Sequence, residues 1–293
     1  MSSLPPVLIG LTSIRGRERA LERTLDSLLA QKLPADGRPV ELQLFLSKEP
    51  YLLDRGFPSL PPGLKRRLLR ARLRPGLRFT LRWVANTGPY RKLLPLIEGL
   101  SAEQRACDPW LITADDDTLY PHDWLVRLLA AQAHHDGVVA FRGRRMALAD
   151  GAILPYRSWQ VAGAELREPS LLTVPTGKDG ICYRLSQLDS RVMDLTTALR
   201  IAGHADDLWF KVHTLLTATP AVLLHDTLAL QFPELDGQGR PVGRATGRRH
   251  HTPTLYLSVN KHGGNDAVLR RCLAYGAELA GLESPLALLN PWP

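Results

Sequence analysis

The stretch "PWLITADDDTLYPHDW", residues 109–124, decides how the rest of the chain is read. The apolar run PWLIT at 109–113 has the length and composition of a buried strand, and it leads directly into Asp115, Asp116 and Asp117. Three adjacent carboxylates repel one another and lose hydration when partly buried, so the cluster needs a cation or a dense set of donors. Beyond it, PHDWLVRLLAAQAHH predicts a helix with Pro121 in its first turn. The carboxylates are therefore expected at the carboxyl end of a strand, the edge of an open α/β sheet where ligands bind. Alternate residues of an extended backbone face the same way, which would give Asp115 and Asp117 a common target. Two carboxylates suit Mg2+ or Mn2+, whose other ligands are commonly water and substrate phosphates. The competing reading is a polar loop that caps the next helix, a role Asp123 can fill alone.

Alternating elements extend on both sides of this stretch. VLIGL (7–11), VELQLFL (40–46) and RFTLRWV (78–84) read as strands, and ERALERTLDSLLAQ (18–31) places Leu21, Leu25, Leu28 and Leu29 on one helical stripe. GPYRKLLPLIEGL (88–100) predicts another helix, which Pro95 either kinks or restarts. After the aspartates the alternation weakens: GVVAF (137–141), SLLTVP (170–175), GICYR (180–184) and AVLLHDTLAL (221–230) read as strands, whereas 206–216 and 265–282 read as helices. There is no internal repeat and no long linker. The expected fold class is α/β, one unit over 1–293, with a Rossmann-like nucleotide-binding half (1–120) fused to a smaller mixed half (121–293).

Composition narrows the functional classes. With 44% hydrophobic residues among 293, the chain can bury a large core and is not disordered. No apolar run approaches the roughly 20 residues of a membrane span, and the opening residues lack the long hydrophobic region of a signal peptide. Cys107, Cys182 and Cys272 are too few and scattered for a disulfide framework or a zinc site. These features predict a cytoplasmic protein. The net charge of +8 attracts anions and is concentrated in LKRRLLRARLRPGLR (64–78) and GRPVGRATGRRHH (239–251). In the first run Leu64, Leu68, Leu69 and Leu73 fall at helical spacing among the basic residues, giving either a solvated surface helix or a basic amphipathic helix resting on the inner membrane face. The second run is glycine-rich and aperiodic, and reads as a loop. Neither run interleaves aromatic residues as a stacking platform would, which argues against nucleic acid as a partner.

Five segments in order, LTSIRGRERALERTLDSLLAQ, NTGPYRKL, ITADDDTLYPHDWL, GKDGICYR and ADDLWFK, resemble the signature of bacterial GT-A-type glycosyltransferases of capsular and cell-surface polysaccharide synthesis. The resemblance covers residues 7 to about 217. It implies a GT-A-like fold, a nucleotide-sugar donor linked to UDP, Mn2+ or Mg2+ as cofactor, and a glycan or lipid-linked glycan acceptor, with galactose or galactofuranose as the working expectation for the sugar. It places Thr12, Ser13 and Arg17 near the nucleotide, and Asp115, Asp116 and Asp117 at the donor, with Asp115 and Asp117 on the metal. Gly88, Pro89 and Lys92 would approach donor phosphate or sugar, and Gly180 would leave room for the donor sugar. Asp207 would be the general base of an inverting transfer, with Asp206 orienting a substrate. A downstream histidine would complete the metal site; the sequence does not choose among His225, His250, His251 and His262, and His262 is entered for its Gly-rich neighbourhood, which permits close backbone approach.

Each assignment has a plainer alternative. Asp206 and Asp207 can simply cap a helix, Lys92 can be an exposed helical residue, and Trp159 and Trp209 read as packed core before sugar platforms. Two other functions suit the same residues. One is a metal-dependent phosphohydrolase or nuclease; the other is a nucleotide- or glycan-binding module without turnover.

Overall fold

The computed structural model describes residues 4–242 and 264–290. Seven strands form the main sheet: β1 (Val7–Thr12), β2 (Val40–Leu46), β3 (Leu77–Trp83), β4 (Trp110–Ala114), β5 (Val138–Ala140), β6 (Ile181–Arg184) and β7 (Ala221–Leu223). Their spatial order is β7-β5-β6-β4-β1-β2-β3. β1 pairs in parallel with β2 and β4, β2 with β3, and β5 with β7, while β6 runs antiparallel between β4 and β5. The fold is therefore α/β with a central mixed sheet.

The described helices are α1 (Glu18–Leu29), α2 (Pro62–Ala71), α3 (Leu94–Glu98), α4 (Ala102–Ala106), α5 (Trp124–His134), α6 (Leu195–Ile201), α7 (Asp206–Leu215) and α8 (Gly264–Ala280). Apolar residues on both faces of the strands create two cores. Along β1, Leu8 enters one core, and Val7, Ile9 and Leu11 enter the other. α1 buries Leu21, Leu25 and Leu28 in the second core, each contributing about 1.5–3 kcal/mol.

Chain direction places the ligand edge. β1 is flanked by β2 on one side and β4 on the other, so the connections leave it in opposite directions and open a crevice at the carboxyl ends of β1 and β4. Leu11 pairs with Ala114, so Thr12 and Asp115 emerge side by side.

Several predicted boundaries shift. The helix expected over 88–100 is a tight 3-10 turn, Gly88–Lys92, followed by α3, with Pro95 near the start of α3 where its missing N–H is tolerated. Pro121 precedes α5 by a turn and lies outside its first helical turn. Only 221–223 of the apolar run 221–230 is strand; farther along, Leu228 and Leu230 reach the cavity wall. Within 170–175, Thr173–Pro175 pairs antiparallel with Gly143–Arg145, apart from the main sheet. α2 buries Leu64 and leaves Leu69 exposed at 54%, Leu73 just beyond its end is exposed at 84%, and Arg67 ties the helix to Glu22 and Asp26 of α1. Among the described residues, no helix is long and apolar enough to cross a membrane.

Candidate active site

A cavity of about 690 Å3 opens at the carboxyl edge of the sheet. It is lined by Thr12 at the end of β1, Ser13 and Arg17 after it, Gly88, Pro89 and Lys92 in the tight turn, the aspartate triplet after β4, and Asp206 and Asp207 at the start of α7. Segments far apart in sequence thus meet on one surface. Gly10 makes part of this possible: a Cβ there would lie 1.9 Å from the carbonyl oxygen of Lys92, so only glycine lets the 88–92 turn lie directly on β1.

The triplet follows the last residue of β4 and enters a turn at Asp116 and Asp117. The extended alternation expected for Asp115 and Asp117 is therefore lost. Instead Arg17 Nη1 donates to Asp116 Oδ1 at 3.0 Å and to Asp117 Oδ2 at 3.2 Å, while Asp115 faces Lys92 Nζ at 3.5 Å. The Ser13 hydroxyl donates to the other oxygen of Asp116. Lys178 Nζ bridges Asp117 Oδ1 and Glu234 Oε1, both at 2.7 Å. None of this resembles a helix cap: Asp123 makes no side-chain cap hydrogen bond to α5, and the side-chain partners of Asp116 and Asp117 come from outside that helix.

Electrostatics follow from this crowding. Burial works against the charged form of Asp115, but Lys92 and Lys178 outweigh it and hold the carboxyl below its ordinary range. In Asp117 burial prevails, aided by the charge of Asp116, and the pKa rises despite Lys178 and Arg17. Burial also opposes the Lys92 ammonium, yet Asp206, Asp115 and Asp207 keep it firmly protonated.

The second acidic motif is likewise no cap. The residue preceding α7 is Ala205, which makes no side-chain cap bond. Asp206 Oδ2 lies 3.1 Å from Lys92 Nζ, and Asp207 Oδ2 accepts the Gly177 amide at 3.1 Å. Asp207 Oδ1 has no hydrogen-bond partner among the described residues. Burial and the neighbouring Asp206 charge push the Asp207 pKa up to about 7. A carboxyl with an uncommitted oxygen and a pKa near neutrality is suited to taking a proton at neutral pH.

The donor set also bears on a metal. Among the described residues, no three His, Cys, Asp or Glu side chains converge as a protein-only metal site. Mg2+ and Mn2+ do not need one, since one or two carboxylates with water and phosphate suffice. Asp115 and Asp117 can supply these donors if their ammonium and guanidinium partners turn toward an incoming diphosphate. His262, together with His250 and His251, lies outside the described residues. His225 stacks on Phe141 and approaches Arg127, and it does not line the cavity.

Other sequence candidates fall unevenly. The Thr12 hydroxyl is committed to the Phe45 carbonyl at 2.9 Å, although the residue lines the cavity. Gly180 is not on the wall. Its φ is +106°, and a Cβ would meet the Trp124 ring at 2.7 Å, so its missing side chain makes room for a tryptophan rather than a ligand. Gly177, three residues earlier, makes the close approach, with a built Cβ 2.5 Å from Lys92 Nζ. Trp159 and Trp209 are buried, and their ring N–H groups donate to the carbonyls of Leu154 and Val192. Sequence reasoning missed Lys178, Glu234 and Arg142. Lys178 lies inside a quoted motif and Arg142 just past a strand at the ligand edge, but Glu234 carries no local signal: it is positioned by the bond from the Leu235 amide to the Asp117 carbonyl.

No protein-family model matches this sequence, and no curated protein matches it significantly. Among solved structures, the chain is similar to S. aureus TarS 1-349 in complex with UDP, at 15% identity and a TM-score of 0.44 over 76% of this chain and 58% of that one. It therefore spans less than two thirds of that protein's length. Mannosyltransferase PcManGT from Pyrobaculum calidifontis, in complex with GDP-Man and Mn2+, is similar at 15% identity and a TM-score of 0.49 over 98% of this chain and 79% of that one. The 4-diphosphocytidyl-2C-methyl-D-erythritol synthase from Anaerococcus prevotii DSM 20548 is similar at 8% identity and a TM-score of 0.39 over 79% and 93%. Likenesses this distant assign no donor or reaction to this chain.

Proposed function

We propose that the protein is a nucleotide-sugar-dependent glycosyltransferase of GT-A type that inverts the transferred sugar. One observation carries the reading: two acidic motifs, 115–117 and 206–207, line one cavity and share Lys92, while Asp207 keeps one carboxylate oxygen uncommitted. The nucleoside would lie near Ser13 and Arg17 at the β1 end, with its diphosphate before the triplet. Asp115 and Asp117 would hold Mn2+ or Mg2+, and the bound ion would offset negative charge developing on the leaving nucleoside diphosphate. Arg17 and Lys178, paired with the triplet, would add positive charge on the same side. Asp207 would remove the proton from an acceptor hydroxyl as that oxygen attacks the anomeric carbon from the face opposite the diphosphate. Lys92 would keep Asp206 oriented and both acidic motifs compact.

A UDP-linked donor, galactose or galactofuranose as the sugar, and a surface-polysaccharide acceptor rest on the sequence resemblance. The exposed Leu69 and Leu73, with Lys65, Arg66, Arg70 and Arg72 around them, support peripheral attachment to an anionic membrane face, where lipid-linked acceptors are found. The test is incubation with a panel of nucleotide-sugars and Mn2+, following release of nucleoside diphosphate and free or transferred sugar. Nucleoside diphosphate release from one donor supports transferase chemistry. Phosphate cleavage of free nucleotides without sugar release supports the phosphohydrolase alternative instead.

A further inference from the structure

The cations on the cavity wall fall into two groups. Arg17, Arg91, Lys92 and Lys178 each face a carboxylate within 3.5 Å. Arg142 and Arg144 form no ion pair within 4.0 Å among the described residues, although the Asp179 and Glu234 carboxylates act on Arg142 from farther off. The Arg142 Nε is buried without a hydrogen-bond partner, and the Arg144 guanidinium rests over the Tyr156 ring at 4.6 Å from its centroid. Partly burying a guanidinium costs free energy that a carboxylate partner or a bound anion can recover. These two residues are two positions apart, Arg144 within the short strand Gly143–Arg145 and Arg142 just before it, and both line the cavity. Arg145, on the opposite face, is engaged elsewhere by Thr173 and the Glu168 carbonyl.

Topology sets this pair apart from the β1 end of the cavity. β5 runs in the same direction as β4 and ends at the same sheet edge, but β6 and β4 lie between it and β1. Three strand spacings separate the end of β5 from that of β1, about 14 Å. The Arg142 carbonyl accepts the Thr176 amide at 3.1 Å, and the next residue, Gly177, donates to Asp207. Arg142 is thus hydrogen-bonded to the segment that orients Asp207, and among the described residues it reaches the triplet only through Glu234 and Lys178.

We propose that Arg142 and Arg144 form an anion subsite for the acceptor, so that the attacked hydroxyl belongs to a molecule carrying a phosphate or carboxylate nearby. This rests on the reading of Asp207 as the base that faces the acceptor. Guanidinium forks pair with both anions in two-point geometry, and Tyr156 holds one fork in place.

The test is calorimetric titration with methyl glucoside, glucuronic acid and glucose 6-phosphate, probes that share a ring and differ at one substituent. Each is titrated with and without UDP and Mn2+ occupying the donor side. The expected result is at least tenfold tighter binding of an anionic probe than of methyl glucoside, weakening with salt, with UDP present or absent. Arg142→Gln with Arg144→Gln removes that preference while leaving thermal stability and UDP binding unchanged. A preference for phosphate identifies a phosphorylated acceptor, and one for carboxylate a uronic acid. Equal binding of all three probes by the unaltered protein, or an anion preference that survives the double substitution, overturns the proposal. If UDP fails to bind while the arginine-dependent anion preference remains, the subsite stands and the donor reading falls.

Discussion

The ammonium of Lys92 lies 3.1 Å from Asp206 Oδ2 and, on its other side, 3.5 Å from Asp115, so one side chain joins the acidic motif after β4 to the one that starts α7. Lys92→Met leaves Asp115, Asp206 and Asp207 facing one another without their shared counter-charge. The expected loss in kcat/KM is about 100-fold. The acid limb of the pH–rate profile should also move to higher pH, because Asp207 is then harder to ionise. A pH–rate profile of the folded variant checks both.

Asp207 titrates near 7 because burial and Asp206 disfavour its charge. As a base it works only when ionised, so the transfer rate should fall about tenfold per pH unit below about 7. Asp207→Asn should lower kcat by about 100- to 10,000-fold and abolish this limb while leaving nucleotide affinity intact. Stability carries the opposite sign. A carboxyl held above its ordinary pKa is bound more tightly by its proton in the folded state, so this group's contribution to stability grows as pH falls from about 7 toward the ordinary value near 4.

Lys211 is buried one turn beyond Asp207, and its Nζ has no partner among the described residues. Burial pulls its pKa down to about 7. Below that value the folded state holds an uncompensated charge; between about 7 and the ordinary lysine value the folded state is neutral while the unfolded chain is still protonated, so stability rises with pH. Lys211→Met should raise stability at neutral pH by about 1–4 kcal/mol and flatten that dependence, as read by thermal melts across this range.

The membrane reading depends on Leu69 and Leu73. Replacing both by serine should reduce sedimentation with vesicles containing anionic lipid several-fold, with little binding to neutral vesicles before or after. Equal binding to both kinds of vesicle would remove the role assigned to α2.

Much of the candidate site was legible because it sits where strands end. The boundary between apolar PWLIT and the aspartates marks the carboxyl end of β4 almost to the residue, and the apolar stripe of α1 correctly orders the loop after β1 before a helix. The same reasoning applied to GVVAF would have found Arg142, since it is the second residue after β5. What remained hidden depends on packing between distant segments. Gly180 and Gly177 look alike in sequence, and only the tertiary fold shows that Trp124 occupies the space beside one and Lys92 the space beside the other. Leu73 satisfies helical spacing but lies beyond the end of α2, because spacing alone does not say where a helix stops. The alternation expected for Asp115 and Asp117 failed because it assumed the strand continued past Ala114.

The central claim is that the triplet receives a nucleoside diphosphate together with a divalent ion. It is tested most directly by calorimetric titration with UDP, GDP and their sugar derivatives, in Mn2+ and in EDTA, for the unaltered protein and Asp117→Ala. The account predicts saturable binding of one nucleotide in Mn2+, at least tenfold weaker in EDTA and lost in the variant. Absence of binding by the folded protein, or binding that neither EDTA nor Asp117→Ala changes, would contradict it.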